Sequence, residues 1–101
     1  MSVYIIAQIA IHDRDEYAKY QEGFAEVFAH YDGELLVVDD EAQVVEGEWP
    51  YTRTVVIRFS SADEAARWYM SPEYQAIAKH RLAGSRANAV LVQGLEPDAS
   101  A

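Results

Sequence analysis

The sequence predicts an α+β fold in which an antiparallel sheet carries two helices on one face. Short segments rich in valine and isoleucine alternate with two longer segments whose aromatic and apolar residues recur at helical spacing. The chain of 101 residues has the length of one domain. Half of its residues are hydrophobic, which is enough to form a core and excludes a wholly disordered chain.

The chain begins with a predicted strand and helix. Residues 3–11 are too few and too β-branched for a helix, so we predict a strand that is buried on both faces. Asp13 is the expected N-cap of the first helix, with Glu16 in the capping-box position. The helix is expected to end near Tyr31, with Gly33 just beyond it.

Three further strands are predicted before the second helix. Residues 35–38 and 43–46 flank an acidic turn, and residues 52–59 form the clearest strand of the chain. Residues 47–51 are expected to be a loop, because glycine weakens strand pairing and proline cannot donate to it.

The second helical segment is interrupted once. Ser61 opens it as a capping box, and Ser71 followed by Pro72 restarts it, since proline is well tolerated at the first helical position. The segment is expected to end before Gly84, and residues 88–93 form the last predicted strand.

The resulting order is β-α-β-β-β-α-β. With residues 43–46 as an irregular part of a hairpin, this order matches the ferredoxin-like split βαβ plan, which has both helices on one face of an antiparallel sheet. Residues 3–11 and 52–59 would then place large apolar groups on both sides of the sheet. An uncovered apolar face implies an interface, so we expect a homodimer formed through the sheet faces.

Composition limits the partners and the location. Eight basic and seventeen acidic residues give a net charge of −9, so we expect neither nucleic acid nor a membrane as a partner. The lack of cysteine excludes disulfides and thiolate metal sites, and it favours a cytoplasmic location. We predict one domain over residues 1–95 and a flexible acidic tail over residues 96–101.

Four segments resemble a known family: residues 28–33, 46–49, 53–59 and, most specifically, the aromatic Ser-Pro-Glu-Tyr element within residues 68–75. Together they make residues 1–95 similar to the domain-of-unknown-function 1330 family, within the dimeric α+β barrel superfamily. The resemblance implies a ferredoxin-like protomer and a barrel made by two sheets that meet in a dimer. It implies no reaction and no catalytic residues. The wider superfamily includes cofactor-independent monooxygenases, isomerases and haem-handling proteins, which is an analogy of fold alone.

Aromatic side chains are the first candidates for a binding site, because seven tyrosines and two tryptophans combine apolar bodies with polar tips. Four of them lie in loops or beside the helix break, where they either pack or line a ligand pocket: Trp49, Trp68, Tyr69 and Tyr74. Three others on the first helix are expected in the core with their hydroxyls reaching the surface: Tyr17, Tyr20 and Tyr31.

Two arginines and a histidine are the candidate polar groups. Arg53 ends an apolar row along its strand and is either an anchor for a carboxylate or enolate or a partner of Glu46 or Glu48. Arg81 is a second candidate anchor. His30 lies in the predicted last turn of the first helix, where it serves either the helix dipole or a pocket as an acid or base.

No metal-ligand spacing, phosphate-binding loop or nucleophile motif is present in the sequence, and we predict no metal site and no cofactor. The leading hypothesis is a dimeric barrel that binds a small hydrophobic or aromatic metabolite, with or without an anionic group. Such a protein is either a binding protein or a cofactor-independent enzyme, and the sequence leaves both open. The alternative is a non-enzymatic dimerisation or interaction module.

Overall fold

Seven elements follow one another in the computed structural model, which describes residues 2–95. They are β1 (Val3–Ile11), α1 (Arg14–Phe28), β2 (Glu34–Asp39), β3 (Arg53–Phe59), α2 (Ala62–Tyr69), α3 (Pro72–Gly84) and β4 (Ser85–Gln93). The tail predicted over residues 96–101 lies outside the described residues. None of the three helices has the length and apolar character needed to cross a membrane, within residues 2–95.

The four strands form one antiparallel sheet in the order β2-β3-β1-β4. The central strand β1 pairs with β3 on one side and β4 on the other, so that Ile5 lies opposite both Ile57 and Leu91. This sheet with its helices confirms the predicted α+β, ferredoxin-like fold.

The predicted caps are confirmed. The Asp13 side chain accepts a hydrogen bond from the Glu16 backbone N–H at 3.1 Å, which begins α1. Ser61 and Ser71 accept in the same way at the starts of α2 and α3, from the N–H groups three residues on. The break between these two helices therefore lies where Ser71 and Pro72 predict it.

One predicted strand and two predicted boundaries are wrong. Residues 43–46 are not a strand but part of an exposed connection from β2 to β3, because their two valines have no partner strand to pack with; Val45 is 92% exposed. Helix α1 ends at Phe28 rather than near Tyr31, and β4 begins at Ser85 rather than at residue 88, because it pairs with β1 as far as Ile11.

Helices α1 and α3 pack closely against each other. A Cβ at Gly23 would lie 2.7 Å from Ile77, so this crossing needs a glycine. At one end the Gly84 carbonyl accepts the backbone N–H groups of both His12 and Asp13 at 3.0 Å. The two helices thus form one layer over the sheet.

The two faces of the sheet differ in what covers them. All the residues of β1, β3 and β4 that belong to the core or pack against it have odd numbers, and they face the helices. The even-numbered residues point the other way and include these apolar side chains: Tyr4, Ile6, Val56, Val90 and Val92. No helix of the described part of the chain covers this second face, which we call the open face.

Candidate functional site

A cavity of about 220 Å³ lies between the helix layer and the odd-numbered face of the sheet. One water needs on the order of 10–15 Å³ in this measure, so the cavity has room for a small organic molecule. Its helical wall is aromatic, and its sheet wall is aliphatic. The helical residues are Tyr17, Tyr20, Phe24, Trp68, Tyr69 and Tyr74, and the central strands contribute Ile5, Ala7, Ile9, Val55 and Ile57.

Five of the seven candidate residues lie together in the wall of this cavity: Arg53, Trp68, Tyr69, Tyr74 and Arg81. The structure brings them from β3, α2 and α3 to one place, and their role in binding stays a prediction. Trp49 and His30 do not join them. Trp49 packs on Tyr51 in the connection to β3, with ring centroids 5.3 Å apart, and His30 is exposed beyond the end of α1.

Tyr17 and Tyr20 were missed as lining residues. The prediction that their hydroxyls reach the surface is wrong, since both side chains are buried and line the cavity. The helical spacing of the aromatic stripe correctly places them on the face of α1 that meets the core. A sequence shows which face is buried but not where packing leaves a void. Tyr31 does reach outward, and its hydroxyl donates to Glu73 at 3.1 Å.

Two phenols form a buried hydroxyl pair in this site. The hydroxyl oxygens of Tyr20 and Tyr74 are 2.9 Å apart, so one of them donates to the other. Burial raises the pKa of Tyr20 above its ordinary range, so the Tyr20 hydroxyl keeps its proton at neutral pH. Because one proton serves the mutual hydrogen bond, the other can be offered to an acceptor on a bound molecule.

A second donor in the cavity wall has no acceptor. Trp68 is 2% exposed, and its indole N–H is buried without a hydrogen-bond partner in the described range. A buried donor left unpaired costs roughly 1–3 kcal/mol. The indole nitrogen has almost no accessible surface, so this donor is enclosed by the packed wall and is not offered to the cavity.

Arg53 points inward, and its charge is already matched. Its Nε and Nη2 donate to the two carboxylate oxygens of Asp40 at 2.6 and 3.0 Å, and its guanidinium lies 5.3 Å from the Tyr17 ring centroid. The Arg53 side chain is only 13% exposed, against 50% for Asp40. The predicted alternative was an ion pair between Arg53 and Glu46 or Glu48. Arg53 does form an ion pair, but that choice of partner is wrong, because the end of β2 brings Asp40 to the guanidinium in the folded sheet.

This ion pair makes a pH-dependent contribution to stability. The hydrogen bonds from Arg53 hold the pKa of Asp40 below its ordinary value of 3.8. Such a carboxylate stabilises the fold above its unfolded pKa, and the contribution is lost as the pH falls through the folded pKa. Asp40→Asn is expected to lower the free energy of unfolding at pH 7 by about 0.2–1 kcal/mol, since the pair is partly exposed. Urea unfolding should show this difference shrinking below pH 3.8, and a difference that persists in acid would contradict the assignment.

Arg81 enters the cavity from α3. Its guanidinium carbon lies 5.7 Å from the centroid of the Tyr20 ring, beside the phenol pair. No group of three metal-ligating side chains converges anywhere between residues 2 and 95. The site as it stands is an apolar and aromatic pocket with hydroxyl and guanidinium donors, which suits binding through hydrogen bonds to oxygen acceptors.

Comparison with known proteins gives a family but no activity. Residues 2–95 match the model of a family described as a domain of unknown function, DUF1330. No curated protein matches the chain.

Three solved structures with similar folds are distant from this chain in sequence. A protein of unknown function from Rhodopseudomonas palustris is 15% identical with a TM-score of 0.80, over 95% of this chain and 84% of that one. A dimeric ferredoxin-like protein of unknown function from Jannaschia sp. CCS1 is 12% identical with a TM-score of 0.73, over 93% and 100%. SnoaB, a cofactor-independent oxygenase from Streptomyces nogalater, is 17% identical with a TM-score of 0.63, over 94% of each chain. At these identities the likeness is one of fold.

Proposed function

The chain belongs to the DUF1330 family, whose function is unknown, and we propose that it binds a small hydrophobic or aromatic metabolite between its helices and its sheet. The observation that carries this proposal is the cavity of about 220 Å³. The aromatic and aliphatic side chains that line this space lack packing partners on the side that faces it, and a bound molecule would supply those contacts.

The polar groups of the cavity support the same proposal. Ligand sites are mostly apolar with a few convergent polar groups that orient the ligand. Here the Tyr20 and Tyr74 hydroxyls and the Arg81 guanidinium are such groups. They favour a molecule whose ring system carries at least one oxygen acceptor.

Thermal unfolding in the presence of aromatic and carboxylate-bearing compounds tests this proposal. A compound at 100 times its dissociation constant stabilises the folded state by roughly 2.7 kcal/mol and raises the midpoint of unfolding. Ala7→Leu fills the cavity from β1 and should abolish the shift, whereas Ala25→Leu, on the exposed side of α1, should leave it unchanged. If no compound shifts the wild-type protein, the alternative of a non-enzymatic interaction module is favoured. A shift that survives in the Ala7→Leu variant places binding elsewhere.

The open face supports a homodimer formed through the sheets. Val90 and Val92 of β4 are exposed there and the apolar side chains of β1 and β3 are partly exposed, and a second copy would cover them by two-fold symmetry. Size-exclusion chromatography with light scattering should report about twice the chain mass of 11.4 kDa. Because two chains of charge −9 repel each other, moderate salt should strengthen the association.

A reaction on the bound molecule is a second candidate function. SnoaB is described as a cofactor-independent oxygenase and is similar in fold along almost the whole chain. The phenol pair could hold or pass a proton beside a bound phenolic compound. Consumption of dissolved oxygen when the protein is mixed with ligands found by thermal unfolding would support an oxygenase. If no oxygen is consumed, ligand binding without oxygenation is the function supported.

The lack of cysteine continues to support a cytoplasmic location as a proposal.

A further inference from the structure

One cation in the structure is withdrawn from water without an anion beside it. The chain has eight basic residues, and four of them form ion pairs with carboxylates: Lys19, Arg53, Arg58 and Arg67. Of the other four, Arg14, Lys79 and Arg86 are exposed. Arg81 is half-buried, and no carboxylate of residues 2–95 lies within 4 Å of it.

This arrangement is unexpected in a chain with seventeen acidic residues. Removing a charge from water carries a free-energy penalty unless a counter-charge or hydrogen bonds compensate it. The protein supplies part of that compensation with aromatic groups, since the Arg81 guanidinium lies 5.7 Å from the Tyr20 ring centroid. Burial opposes the charged form, but the neighbouring phenols of Tyr74 and Tyr20 outweigh it and raise the pKa of Arg81. Arg81 is therefore charged at every physiological pH.

Arg53, the other arginine of the cavity, is a contrasting case. Asp40 occupies its guanidinium with two hydrogen bonds and neutralises it. The cavity consequently contains one unmatched positive charge among the described residues, and it belongs to Arg81.

We infer that Arg81 anchors the anionic group of the ligand, and that the cavity takes an aromatic or hydrophobic monocarboxylate. A guanidinium presents two parallel N–H groups that match a carboxylate, and the Tyr20–Tyr74 hydroxyl pair lies beside it to supply a further donor. The rest of the molecule would lie against Trp68 and Tyr69. The cavity offers a single unmatched cation among the described residues, and the chain carries a net charge of −9, which together disfavour dianions such as phosphate monoesters. This inference rests on the proposed binding function and specifies its ligand.

Matched pairs of probes test it. Benzoate with benzamide, phenylacetate with phenylacetamide, and 2-naphthoate with 2-naphthamide have nearly the same shape within each pair but differ in charge. Dissociation constants are measured at pH 7 by calorimetry or NMR titration on the wild-type protein. We expect the carboxylate of at least one pair to bind roughly 10- to 100-fold more tightly than its amide, as charged hydrogen bonds do.

Variants then assign that preference to one residue. Arg81→Met removes the charge but keeps a long apolar side chain, and it should abolish the preference while the amide still binds. Lys79→Met removes the same charge from the exposed side of α3 and should leave the preference intact. Arg81→Lys retains the charge but not the two parallel N–H groups of the guanidinium, and it should weaken carboxylate binding without abolishing the preference. This variant replaces Arg81→Met if the methionine variant does not fold.

The outcomes separate this inference from the proposal beneath it. Equal binding of carboxylate and amide to the wild-type protein, or a preference that survives in Arg81→Met, overturns the inference and leaves the binding function standing. If phosphate monoesters such as phenyl phosphate bind more tightly than the carboxylates, the assignment to monoanions is wrong. If no member of any pair binds, the inference fails, and the proposed function is judged separately by the thermal-unfolding screen.

Discussion

Replacing Val56 with aspartate is expected to convert the proposed dimer into a monomer. Val56 lies on the open face near the middle of the sheet, opposite Ile6 of β1 and Val37 of β2. In a two-fold dimer this substitution buries one carboxylate from each protomer, and the effective penalty is several kcal/mol per ion. Light scattering should then report a mass near 11.4 kDa instead of about twice that value.

A control variant separates the effect of placing a charge on the open face from the effect of adding a charge to the protein. Val45→Asp introduces the same group at a valine that is 92% exposed in the connection between β2 and β3. This variant should remain a dimer. If Val56→Asp also remains a dimer with an unchanged association constant, the open face is not the interface.

Replacing Phe59 with alanine is expected to lower the free energy of unfolding by about 3–5 kcal/mol. Phe59 is 0% exposed, and its ring contacts those of Phe28 and Trp68 at centroid distances of 6.0 and 5.5 Å. Alanine would leave a cavity directly behind Trp68 and remove the surface that supports the indole. The affinity of any ligand of the proposed site should therefore fall together with stability.

Urea unfolding at one fixed protein concentration measures this change, because dimerisation makes stability depend on concentration. Phe59→Leu keeps much of the volume and should be clearly less destabilising than Phe59→Ala. A loss below about 1 kcal/mol for Phe59→Ala would mean that the core collapses around the vacancy more readily than its ring packing indicates.

Local sequence signals predicted most of the fold because each has a short-range physical cause. A serine or aspartate side chain caps the N–H three residues on, so Asp13, Ser61 and Ser71 mark their helices correctly. Alternation along β1 and β3 requires two apolar faces, and the sheet has them. The error at residues 43–46 has the opposite cause, since two adjacent valines satisfy β-propensity but nothing in the fold pairs with them.

The residues of the candidate site and their interactions were each predicted only in part, since two of the seven candidates lie elsewhere and two tyrosines of α1 were missed. Strand alternation correctly puts Arg53 on the face of Val55 and Ile57, and the helix break correctly marks Trp68, Tyr69 and Tyr74. The partner of Arg53 could not be predicted, because seventeen acids compete and spacing along the chain does not rank them. For the same reason the sequence could not predict that no carboxylate of residues 2–95 lies beside Arg81, because that depends on where every acidic residue lies after folding.

The central strand β1 takes part in two surfaces at once. Ile5, Ala7 and Ile9 line the cavity, whereas Tyr4 and Ile6 project from the open face of the same strand. Any molecule that displaces β1 on binding therefore alters the association constant of two chains that meet on the open face. Thermodynamic reciprocity then requires association to change the affinity for that molecule by the same factor. The protein concentration therefore affects every ligand titration. Ligand affinities measured at protein concentrations far above and far below the dimer dissociation constant would differ by that factor.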